Sequence, residues 1–135
     1  MRRRVAWILS ILLLLNTGLI GLYNGVTELP DAHTPLQQSV TIGVLTYGVL
    51  GTAAAIALIA RHRSAFWLSI GWAIVVSYVA TAATIAYGGA DAPIGGAIAG
   101  GIGAALIGVG VVWCARTVTR KATLHDRVQA ATDVR

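Results

Sequence analysis

The sequence predicts an all-α integral membrane protein, a four-helix bundle whose helices run antiparallel with both termini inside. Three observations predict it: four long uncharged apolar stretches, a one-sided distribution of lysine and arginine, and aromatic residues gathered at the ends of those stretches. Composition agrees, with 56% of the 135 residues hydrophobic and 11% charged, against about a quarter charged in a soluble domain.

The spans are read at about 5–23, 39–60, 65–87 and 94–115. Each is close to the roughly 20 residues needed to cross about 30 Å of hydrocarbon at 1.5 Å per residue. The first follows Arg2, Arg3 and Arg4, as a secretory signal would. It is nevertheless longer than a signal core and has no A-x-A-like site before Asn24, so it is expected to remain as a helix. The fourth begins after Pro93 and stops at Arg116, where a guanidinium would otherwise enter lipid. Residues 1–115 are thus expected to form the four-span bundle. Residues 116–135 are expected to form a basic cytoplasmic tail, partly ordered at most.

Orientation follows from the cationic residues, which stay on the cytoplasmic side. Arg2 to Arg4 precede span one, Arg61 and Arg63 separate spans two and three, and Arg116, Arg120, Lys121, Arg127 and Arg135 follow span four. The outer loops hold only acids: Glu28, Asp31 and Asp91. The placement expected is therefore multi-pass in a bacterial inner membrane. Aromatic residues give the same reading, with Trp7, Trp67 and Trp113 at inner ends and Tyr23 and Tyr87 at outer ends. The net charge of +5 reads as orientation signal and lipid contact. The cations flank spans instead of forming a basic stripe, so nucleic acid is excluded as a partner.

Helices in lipid associate where small residues at four-residue spacing let backbones approach. Span four carries Gly96, Gly100, Ala104 and Gly108, with Ala97, Gly101 and Ala105 on the adjoining stripe. Span three carries Ser69, Ala73, Ser77 and Thr81, span two Gly51 and Ala55, and span one Gly21 and Gly25. Span four has more small surface than one neighbour requires, so it is also expected to meet another chain, either another membrane subunit or a second copy.

Chemistry is sparse. An intramembrane site ordinarily shows itself as an ionisable residue, and none lies inside spans two, three or four. His33, His62 and His125 fall in a loop, a turn and the tail, and Cys114 is the only cysteine, so no haem, metal or other cofactor is expected. Small multidrug exporters share this length and helix number but depend on a glutamate within the first span; here Glu28 lies beyond its outer end. Asn16 is expected either to hydrogen-bond to a hydroxyl on another span or to join a polar path with Thr41, Thr46, Ser77 and Thr81. The functional expectation is a non-catalytic structural or accessory subunit that packs against larger chains of a bacterial membrane complex, an energy-transducing one among the candidates. The alternative is a homo-oligomeric small transporter or channel for a neutral solute. An enzyme is not expected, because no acid, base or nucleophile pair lies within one leaflet.

Overall fold

The computed structural model describes residues 2–28, 32–88 and 93–132, with side chains over 4–28, 32–88 and 93–117. Four helices occupy these stretches: α1 (Arg2–Glu28), α2 (Pro35–Ile59), α3 (Ser64–Tyr87) and α4 (Ile94–Thr132). All four are long and apolar enough to cross a membrane. Asp31, Asp91 and the side chains of Arg2, Arg3, Arg120, Lys121, Arg127 and Arg135 lie outside the described residues.

Helix α1 runs five residues past the expected end at Tyr23, to Glu28, and two further helix ends depart from the expected spans for identifiable reasons. Helix α2 begins at Pro35, four residues before the expected start at Ser39. Thr34 caps it: the Thr34 hydroxyl accepts the Gln37 N–H at 3.2 Å, and the Gln37 carboxamide oxygen accepts the N–H groups of Thr34 and His33, each at 3.1 Å. Pro35 stands just inside, where its missing N–H costs nothing. Helix α4 extends 39 residues to Thr132, through the segment expected to be a partly ordered tail. From Val111 to Thr132 the chain has neither glycine nor proline; four alanines and three arginines there offset four valines and four threonines, so no strong breaker ends the helix.

The turn between α2 and α3 closes tightly. The His62 N–H donates to the Ala57 carbonyl at 2.9 Å and the Arg61 N–H to the Leu58 carbonyl at 3.2 Å. This is the paired pattern that satisfies the last carbonyls of a helix and places the residue after the cap in the left-handed region. That residue is usually glycine; here it is Arg61, with φ of 52°. Trp7 of α1 holds the same corner, its indole N–H donating to the Leu58 carbonyl at 3.3 Å while the Arg61 guanidinium lies 6.0 Å from the ring centroid.

Neighbouring helices in the chain pack together, whereas α1 and α4 touch only marginally. The principal core joins Ile11 and Leu14 of α1, Ala54, Ala55 and Leu58 of α2, Ala65 and Trp72 of α3, and Val111 and Ala115 of α4. A second cluster links Val40 and Val44 of α2 to Val79 and Ala82 of α3. The α1–α2 contact is a glycine crossing. Gly18 abuts Thr52, Gly21 abuts Tyr47, Gly25 abuts Leu45, and Gly48 lies against the α1 backbone itself. Where lipid replaces water around such helices, close approach of this kind stabilises through van der Waals contact more than through apolar burial.

Candidate functional site

The small residues of α4 divide between two faces. Ala97, Gly101, Gly108, Val111 and Ala115 are buried, and Ala104 is half-buried beside them. This row, stepping by four and three residues, packs on α3: Gly101 meets the Thr81 hydroxyl, and a Cβ on Gly108 would lie 2.5 Å from that of Ala73. Ser77 contributes its carbonyl to the same seam, 3.6 Å from a Cβ built on Gly101. Three members of the α3 stripe, Ala73, Ser77 and Thr81, thus face α4. The fourth, Ser69, sits in the core, fully buried.

Gly96 and Gly100 are exposed at the edge of this seam, with only Pro93 and the Ala80 carbonyl near them. Farther round, Gly95, Ala99, Gly103 and Gly110 form a separate stripe on the side away from α3. Among the described residues, a Cβ added at Gly95, Gly103 or Gly110 would meet no neighbouring atom within 4 Å. Sequence reasoning passed over this stripe because span four is small on nearly every side. Only the positions of Thr81 and Ala73 decide which glycines are used inside the chain.

The polar residues do not converge on one path. Asn16 is exposed on the outward face of α1, and among the described residues nothing hydrogen-bonds its carboxamide. It stands about 200° round the helix from Leu14 and from Gly18, both of which pack inward. An amide moved into a medium that cannot hydrogen-bond costs roughly 4–8 kcal/mol, so this position is costly unless something outside the chain meets it. Thr46 is also exposed, Thr41 is fully buried, and Ser77 and Thr81 lie in the α3–α4 seam. All four hydroxyls donate to the carbonyl one turn back on their own helix, at 2.7–3.0 Å. Gln37 is used in the α2 cap, and the Gln38 amide donates to the Ala32 carbonyl at 3.4 Å. Between helices, Ser39 and Tyr78 join their hydroxyls at 2.9 Å.

Two buried polar groups have no hydrogen-bond partner among the described residues, the Ser69 hydroxyl and the Trp72 indole N–H. Cys114 is a buried free thiol. No group of three or more histidine, cysteine, aspartate or glutamate residues comes together among the described residues. The most distinctive features are therefore surfaces: the glycine stripe of α4 and the amide on α1.

Four apolar helices of membrane-crossing length, packed through glycine, fit a small polytopic membrane protein. Comparison with known proteins adds no further identity: no family model, no curated protein and no solved structure aligns significantly with the chain.

Proposed function

We propose that the chain is a non-catalytic accessory subunit of a bacterial inner-membrane complex, its four helices antiparallel, both termini cytoplasmic, and its α4 docked on a larger membrane chain. The observation that carries this reading is the outward stripe of Gly95, Ala99, Gly103 and Gly110. Glycine in a helix interior costs about 1 kcal/mol relative to alanine. Gly103 and Gly110, both in the interior of α4, have no neighbour among the described residues within 4 Å of an added Cβ, and so give no packing return unless another backbone approaches them. The basic segregation supports the orientation: Arg61 and Arg63 in the α2–α3 turn, and Arg116 where α4 leaves its apolar stretch. An energy-transducing complex is one host that fits, since its large chains can hold the reactive groups that the spans of this chain lack.

Purification from native membranes in mild detergent tests the reading. A stoichiometric larger chain is expected to accompany the protein and to be lost from Gly103→Leu. A protein that always purifies alone contradicts it.

A second reading, an assembly of several copies that passes a neutral solute, draws on Asn16 at mid-span. The hydroxyls of Thr41, Thr46, Ser77 and Thr81 lend it little, since each is already bonded to its own helix. Solute flux into liposomes holding the purified protein, absent from empty ones and altered by Asn16→Leu, distinguishes it.

A further inference from the structure

The outward face of α1 carries a heptad register. Val5, Leu9, Leu12, Asn16, Leu19, Tyr23 and Val26 follow one another at alternating spacings of four and three. That repeat keeps one seam turned toward a partner helix in a left-handed pair. The six apolar members are each exposed by half or more, from 50% at Val5 to 72% at Tyr23. Leu12 and Leu19 occupy the d positions on either side of Asn16, which falls at an a position. A single asparagine there sets register and helix number.

We propose that this face binds a second copy of the same chain, α1 against α1 in parallel, with the Asn16 carboxamides of the two copies hydrogen-bonded on the two-fold axis. Three properties select that occupant. Copies inserted with one topology lie parallel, so identical residues of α1 arrive at identical depth. A two-fold contact on this seam therefore brings Asn16 to Asn16 without adjustment of register. The carboxamide is both donor and acceptor and so complements itself. Its depth matters as well: Asn16 is two residues past the middle of the 5–23 stretch, about 3 Å along the axis, where no water is available.

The extent of the surface is sufficient. Val5 to Val26 spans about 32 Å of helix, and covering the seam with its copy buries on the order of 1,000 Å², the level at which contacts become specific. Lipid covers the leucines equally well but offers the amide nothing. The proposal rests on α1 alone and is independent of the partner assigned to α4.

The test uses the full chain with Cys114→Ser, reconstituted in vesicles of phosphatidylcholine and phosphatidylglycerol. Leu12→Cys and Leu19→Cys are expected to form disulfide-linked dimers on oxidation, while Ile74→Cys on α3 and Gly103→Cys on α4 remain monomeric. In the same vesicles, energy transfer between fluorescent proteins fused after Arg135 reads the association constant on dilution with lipid. Asn16→Leu is expected to weaken association about tenfold, equivalent to 1.4 kcal/mol. Asn16→Gln, which keeps an amide, is expected to stay within about twofold of the parent. Asn16 is exposed and makes no side-chain hydrogen bond among the described residues, so neither substitution removes a contact on which the fold depends. A parent protein that is monomeric at every dilution overturns the proposal. So does cross-linking that is equal at seam and control positions, or an Asn16→Leu variant that associates as tightly as the parent.

Discussion

Alanine at Gly48 adds one methyl group where α1 and α2 come closest. Its Cβ would stand 2.7 Å from the Leu22 nitrogen, 3.0 Å from the Gly21 carbonyl carbon and 3.1 Å from the Gly18 carbonyl oxygen. All three are backbone atoms of α1, so no side-chain rotation relieves the clash and the helices must separate. Overpacking of this kind costs about 1–3 kcal/mol, and the better helix propensity of alanine returns about 1 kcal/mol. Gly103→Ala provides the control, since its Cβ meets no neighbour within 4 Å and only the propensity gain remains. Gly48→Ala is therefore expected to lose about 0–2 kcal/mol and Gly103→Ala to gain about 1 kcal/mol, a difference of roughly 1–3 kcal/mol. Unfolding in mixed micelles by increasing fractions of sodium dodecyl sulfate, followed by tryptophan fluorescence and circular dichroism, measures the difference. A Gly48→Ala protein that unfolds at or above the midpoint of Gly103→Ala refutes the close crossing.

Other outcomes follow from the core and the turn. Trp72→Ala removes a ring that is 1% exposed and is expected to cost about 3–5 kcal/mol in the same unfolding assay. Ser69→Ala, which deletes a buried hydroxyl with no partner among the described residues, is expected to be neutral or slightly stabilising, because no hydrogen bond is lost. Arg61→Val forces a β-branched residue into the left-handed backbone at φ 52° and is expected to destabilise by at least about 1 kcal/mol, with Arg61→Gly clearly milder. Membrane-impermeant thiol labelling of single cysteines in spheroplasts is expected to reach His33 but not Arg63 or Thr117. Labelling of Arg63 and Thr117 from opposite sides contradicts the proposed topology.

Much of the architecture was legible because membrane-length helices are a coarse signal. The uncharged runs that predicted the spans are the runs that became helices, and Gly21, Gly25 and Gly51 were recognisable as points of close approach. The start of α2 was legible too, in Thr34-Pro35 followed by Gln37, but two prolines nearby argued for loop and hid it. The far end of α4 reads as a tail in the sequence because it is polar and threonine-rich, although the segment contains no glycine or proline before Thr132. Asn16 shows a different limit. Gly21 and Gly25 already marked the packed face of α1, and counting back five and nine residues puts Asn16 about 140–180° away from it. The outward amide could thus have been found by phase alone. The free face of α4 could not, because glycine at Gly101 and glycine at Gly103 are equivalent until α3 is in place.

Site-specific photo-crosslinking in native membranes tests the proposed role most directly. With the probe at Gly103, the outward stripe is expected to capture one larger membrane chain in defined yield, while a probe at Ile74, exposed on α3, captures lipid alone. Diffuse labelling of lipid from both positions would contradict the account and leave α4 an ordinary boundary of a solitary bundle.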